Sequence, residues 1–279
     1  MKDIKNRIKS VQSTRQITKA MELVASSKLR RAKERMERAR PYFEILHKTL
    51  CDISHSVTEL NSDYTIARAV KKVCYVVIAG DRGLAGGYNS NVFKLAESQI
   101  QDKSRAVILP VGKKTLDFFV KRGYEIVSDA FELIEDISVS DCFEIARLLT
   151  DEYLHFKLDS ISVVYTHFTS MLSQTPSTLA LLPLDVGGRS TGAPTSLTIY
   201  EPSPEAAFDH IVPEYIAGML YGAVCESFAS ELAARRSAMD SASKNADEMI
   251  ENLSLSYNRA RQASITQEIT EIVAGSESN

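Results

Sequence analysis

The chain has 279 residues, 44% hydrophobic and 25% charged, with a formal net charge of −3. That balance is ordinary for a folded protein. No run approaches the roughly 18 apolar residues of a membrane helix, which excludes an integral membrane chain of that kind. The opening "MKDIKNRIKS" has no apolar stretch of the signal-peptide type, so the chain reads as cytosolic.

The first element is a long helix over residues 1–57. It contains no glycine, and Pro41 is the one residue placed to kink or restart it. Ile4, Ile8 and Val11, then Ile17, Met21, Val24, Ala25, Leu29, Ala32 and Met36, recur at steps of three and four. Arg15 and Thr18 read as an interruption of that stripe. Residues 1–40 hold 13 Lys and Arg against 4 Asp and Glu.

The middle, 58–204, changes period. "VCYVVIAG" (73–80), "RAVILPVG" (105–112), "EIVSDAF" (125–131) and "DSISVVYTHF" (159–168) read as strands. "NVFKLAESQIQ", "KKTLDFFVKRG" and "SDCFEIARLLTDEYLHF" read as the helices between them. Alternating strands and helices imply a doubly wound, Rossmann-like parallel sheet, with "TLALLPL" as an added edge strand. "DVGGRSTGAPTS" (185–196) reads as a loop.

A second long helix begins near Pro204 and fills residues 205–279. Leu232, Arg235, Met239, Ala242, Ala246, Met249 and Leu253 alternate at three and four, a coiled-coil seam whose alanines allow close approach. This end holds 5 basic residues against 12 acidic ones, so the two ends are electrically complementary. If both helices leave one domain and run antiparallel, pairing 52 with 205 makes partner numbers sum to about 257 and puts Ile4 near Leu253. Everything beyond about Ser256 then overhangs, including the stripe Ala260, Ala263, Ile265, Ile269, Ile272 and Val273, which needs a surface from elsewhere.

No catalytic constellation emerges. "AGDRGLAGGYNSN" (79–91) fits neither nucleotide-binding glycine pattern and reads as a structural turn, with Asn89 or Ser90 capping the helix that follows. In "PVGKKT" (110–115) Lys114 stands where a phosphate loop needs Ser or Thr. His47 and His55 read as helix surface, and Glu132, Glu135 and Asp136 as a solvated loop. Cys51, Cys74, Cys142 and Cys225 have no metal-ligand spacing and read as buried thiols. The basic helix has few aromatics and an acidic helix to cover it, which argues against nucleic acid.

"IKSVQSTRQITKAMELVASSKLRRA", "GDRGLAGGYNSN" and "NRARQASITQEITEIVAG", in this order, strongly resemble the gamma subunit of F-type ATP synthases. The resemblance implies a non-catalytic rotor shaft without cofactor or metal. Its coiled coil would turn in a sleeve of three alpha and three beta subunits, and its α/β foot would sit on the c-ring and bind the epsilon subunit. Rotation would couple proton or sodium flow to ATP synthesis or hydrolysis. Carried over residue by residue, it implies beta-subunit contacts at Met21, Arg235, Arg261, Gln262, Thr266 and Glu268, and c-ring contacts at Tyr200 and Glu201. Gly80 departs from the family's usual Ser or Thr, and the regulatory thiol segment of the chloroplast form is missing. The lack of a transit peptide favours a bacterial source, with the chain peripheral on the cytoplasmic face of the plasma membrane. The alternative is a stand-alone α/β enzyme that uses the "GDRGLAGG" loop as a phosphate site.

Overall fold

The computed structural model describes residues 1–57, 60–130, 133–185 and 198–277. In chain order the elements are α1 (Lys2–Ser56), β1 (Val73–Ile78), α2 (Tyr88–Gln99), β2 (Ala106–Val111), α3 (Lys113–Lys121), β3 (Glu125–Ile126), α4 (Val139–Leu154), β4 (Ser160–Phe168), β5 (Gln174–Leu182) and α5 (Pro204–Glu277). They form two compact units: Met1–Ser27 with Arg235–Asn279, and Lys28–Ala234. Both long helices contribute turns to both units.

In the larger unit the strand order is β3-β2-β1-β4-β5. The β1–β2, β1–β4 and β2–β3 pairs are parallel, whereas β5 returns antiparallel to β4, so the sheet is mixed. Alternate residues serve opposite faces, as a pleated strand requires. Cys74, Val76 and Ile78 face α4, α5 and the end of α1, while Tyr75, Val77 and Ala79 face α2 and α3. Near-continuous apolar strands are what a sheet covered on both sides demands. The expected strand 125–131 is reduced to Glu125–Ile126. Ser128 and Asp129 favour turns over an edge ladder, and Phe131 lies outside the described residues, as do Glu132 and 186–197. Pro110 is tolerated in β2 because β3 pairs only with Val107 and Ile108, where no donor from residue 110 is needed.

Pro41 does not end α1; it lies on an exposed side of a helix whose Leu50 and Ile53 are locked into the core. Ser203 and Pro204 start α5 in the expected way: the Ser203 hydroxyl accepts from the Ala206 amide at 3.2 Å and proline occupies the first helical position. Gly218 lets α1 approach, since a Cβ there would sit 2.3 Å from Phe43 Cδ1.

In the smaller unit the helices run antiparallel. Arg15 pairs with Asp247 at 3.1 Å, and the Thr18 and Ser243 hydroxyls share a hydrogen bond of 2.7 Å. These partner numbers add to 262 and 261, about one turn from the expected 257. Ile4 is therefore level with Tyr257, and the overhang begins after Ala260. The seam also differs from the apolar stripe. On α1 the inward positions run 4, 8, 11, 15, 18, 22, 25, in strict heptad steps, with Thr18 and Ala25 buried. On α5 they run 239, 243, 246, 250, 253, 257, 260, with Met239, Ser243 and Ala246 buried. Arg15 and Thr18 belong to the seam instead of interrupting it. Ser243 and Ile250 take the places expected of Ala242 and Met249.

Candidate functional site

Among the described residues of the smaller unit, none covers the isoleucines of the last turns of α5. Ile265, Ile269 and Ile272 are 47%, 56% and 71% exposed, one apolar line on one helix face. The neighbouring polar groups are satisfied locally: Thr266 Oγ1 donates to the Gln262 carbonyl at 2.9 Å and Gln267 to Glu271 at 2.9 Å. Ser264 approaches Glu268 at 3.4 Å. Arg261, Gln262, Thr266 and Glu268 are all exposed. Below them Lys2, Lys5, Arg7, Lys9 and Arg259 are exposed too. With Arg261 they make a collar of cations in which no side chain forms an ion pair among the described residues.

A second apolar face follows from the seam. Because Thr18 turns inward, Ile17, Leu23 and Val24 turn outward and are 57%, 61% and 57% exposed. Met21 is half-buried at the border between seam and face. The register sets it level with Asp240, five residues beyond the half-buried Arg235 expected beside it. Sequence reading placed Ile17 and Val24 in the apolar contact stripe of α1. The signal that corrects it is the unbroken heptad through Arg15 and Thr18.

The glycine loop after β1 is exposed at Arg82–Leu84 and pinned at its base by Asp81 and Asn89. Asp81 accepts from the Lys113 amide at the start of α3 and from the Ile134 amide, each at 3.1 Å. Burial raises its carboxyl above the usual range despite these donors. Asn89 accepts from the Gly80 amide at 2.9 Å and donates to the Arg82 carbonyl, so it braces the loop and does not cap α2, which begins at Tyr88 with Gly87 before it. Ser90 likewise lies inside the first turn and donates to the Gly87 carbonyl at 2.9 Å. The buried Glu231 carboxylate lies over Gly80, where a Cβ would meet its Cδ at 2.6 Å. Glycine at position 80 is what leaves room for that carboxylate. A phosphate here would meet Asp81 and Glu231 and find the leading amide of α3 already engaged. The loop is a brace.

Tyr200 is half-buried against the main core just before α5, and Glu201 is exposed. The fold presents two further side chains that sequence reading missed, Ile199 at 87% and Leu172 at 94% exposure. Leu172 tips the β4–β5 hairpin, whose turn is closed by Ser170 hydrogen bonds. His47 and His55 are exposed on α1 as expected. Cys74, Cys142 and Cys225 are buried and Cys51 only partly; burial pushes the Cys74 and Cys142 thiols up to about 12. Among the described residues no cluster of His, Cys, Asp and Glu has metal-site geometry, and no helix is long and apolar enough to cross a membrane.

The sequence model of the ATP synthase family matches residues 1–278. A Ruminococcus albus protein named ATP synthase gamma chain is 50% identical over 99% of this chain and 97% of its own. The chain belongs to the ATP synthase gamma family. The resemblance carried by the three motifs is thereby borne out, and with it a non-catalytic subunit. An Acetobacterium woodii gamma chain named as sodium ion specific is 41% identical over 99% of this chain and 98% of its own. Among solved structures, the fold is similar to a chain of the Euglena gracilis mitochondrial ATP synthase (OSCP/F1/c-ring, rotational state 3). The TM-score is 0.69 at 20% identity, over 98% of this chain and 92% of that one. A Tetrahymena thermophila central stalk and c-ring structure gives 0.61 at 24% identity, over 81% and 99%. At these identities the structures speak for the fold.

Proposed function

We propose that this gamma-family chain is the central rotor shaft of an ATP synthase, coupling ion-driven rotation of a c-ring to the conformational cycle of catalytic sites on other subunits. The observation that carries this reading is the end of α5: a well-formed helix whose isoleucine line has no partner among the described residues of its own unit. A helix of that length gains little from its own hydrogen bonds in water, so a sleeve must supply the rest. Three alpha and three beta subunits form that sleeve.

The face of Met21, with Ile17 and Val24, and Arg235 nearby, meets the beta subunits' lower lobes. Arg261, Gln262, Thr266 and Glu268 meet beta-subunit loops higher up. The unpaired collar cations make acidic groups on those loops the natural counterpart. Charge-assisted hydrogen bonds of about 1.5–3 kcal/mol each bias the shaft angle without locking it. Because the shaft is asymmetric, each beta subunit meets a different face and holds a different affinity for nucleotide, a coupling of binding free energy to angle. The division 1–57, 58–204 and 205–279 assigns the two helices to the shaft and the middle to the foot. Tyr200 and Glu201 bear on the c-ring, the epsilon subunit binds the foot, and the subunit is peripheral on the cytoplasmic face of a bacterial plasma membrane.

Hydrogen exchange on the isolated chain and on the assembled complex tests this. Amides of Tyr257–Val273 should exchange rapidly in the free chain and become protected on assembly with alpha and beta subunits, most strongly around Arg261–Ile269. Strong protection already present in the free, monomeric chain would overturn the reading.

A further inference from the structure

A shaft does work only if its helices cannot twist against the domain they carry, and the larger unit contains a device suited to prevent this. The stretch Leu133–Ser138, between β3 and α4, is short and irregular, yet tied at almost every residue. Ile134 and Ile137 are buried in the core that also holds Leu50 and Ile53 of α1. The Ile134 amide donates to both oxygens of Asp81 at 3.1 Å, which fixes the stretch to the loop after β1. Glu135 forms an ion pair with Lys28 of α1. The Ile137 carbonyl accepts from Arg35 Nη2, and Arg35 Nε donates to the buried Tyr221 hydroxyl on α5. The Arg35 guanidinium also stands 5.0 Å from the Tyr221 ring centroid. Ser138 then caps α4 through a reciprocal pair with Asp141, so the far end of the stretch is anchored to a helix.

Lys28 and Arg35 are seven residues apart, two turns on the same side of α1 and about 10 Å along its axis. Two fastenings on one side of a helix, at different heights, resist rotation of that helix about its own axis. They add directional ties to the apolar packing of Leu50 and Ile53, which seats α1 two turns and more further along. Arg35 holds the helix pair together and the strap to it at once, and its planar fork suits two fixed acceptors.

We propose that residues 133–137 are a torsional strap, with Arg35 as its principal positioning residue and Lys28 and Asp81 as secondary ones, which locks α1 to the sheet so that shaft and foot turn together. The strap rests on the rotor reading above. It adds residues that act on the ions moved per ATP through ties made inside the chain's own larger unit.

The test uses the complete, membrane-reconstituted complex and reads the ratio of ions pumped to ATP hydrolysed. Arg35→Ala should lower that ratio while hydrolysis and assembly persist, and exchange of the 133–137 amides should quicken by about tenfold, the loss of one charge-assisted tie. Arg35→Lys should recover part of the ratio. Tyr221→Phe, which keeps the Ile137 tie, should leave it near normal. Lys28→Glu should cause a smaller loss that is reversed by adding Glu135→Lys, a rescue that a general folding defect would not show. Should Arg35→Ala fail to assemble, the charge-swap pair decides: no loss in Lys28→Glu, or no rescue in the swap, overturns the strap. An unchanged ratio in an assembled Arg35→Ala complex overturns it as well. If the tail of α5 is still protected on assembly in that complex, the strap alone has failed and the rotor reading stands.

Discussion

The same helix, α5, is stabilised in two different ways along its length. Through the α/β unit it offers bulky side chains, Phe208, Val212, Ile216, Leu220 and Tyr221, to a core shared with the sheet, α1 and α4. In the helical unit its seam holds Met239, Ser243 and Ala246, and among the described residues no seam continues beyond Ala260. The first part is fixed by volume, where each side chain fits one hole. The second is fixed by register, where small residues bring the helices close and a single buried hydroxyl pair, Thr18 with Ser243, decides which faces meet. Volume gives stability. Polar seam residues give specificity at lower energy and leave apolar residues outside for other chains.

The sharpest way to break the volume-fixed half is at the β2–α3 turn. Gly112 has φ +98°, and a Cβ there would lie 2.0 Å from the Ala79 carbonyl oxygen. Gly112→Ala should therefore destabilise the α/β unit by about 3 kcal/mol or more, from backbone strain and overpacking together. Tyrosine fluorescence during urea unfolding reads this unit nearly alone, since every tyrosine except Tyr257 lies within residues 28–234 and the chain has no tryptophan.

A smaller effect sharpens the register-fixed half. Ser243→Ala removes the cross-helix bond, leaves the Thr18 hydroxyl only the Arg15 carbonyl of its own helix, and should cost about 1 kcal/mol. Adding Thr18→Val should return most of that loss, because an apolar pair then meets across the seam and no hydroxyl is left half-satisfied there. Thermal melts followed by far-ultraviolet circular dichroism would show it; a double variant as weak as the sum of the singles would mean that the pair does not set the seam. The smallest effect belongs to the exposed ion pair. Arg15→Ala should cost less than about 1 kcal/mol, and the difference from the parent should fade in high salt.

The sequence by itself determined the element order, the period change between the helices and the sheet, and the family, because these rest on local spacing and on long motifs. It also marked the overhanging stripe, since an apolar line past the end of every partner is visible without coordinates. The tertiary structure decided what depends on competition between near-equal alternatives. Ile17 and Val24, like Thr18 and Ala25, lie at helical spacing, and choosing between two adjacent stripes requires knowing that Ser243 waits opposite Thr18. The one-turn shift of the register has the same origin: loop geometry bounds the pairing, and only contacts across the helices fix it. "EIVSDAF" shrank to two strand residues because an edge strand lasts only as long as its neighbour pairs with it. The pinning of the glycine loop at its base was equally hidden, for it depends on Asp81 reaching amides 32 and 53 positions away in the chain. No local pattern encodes a partner that distant.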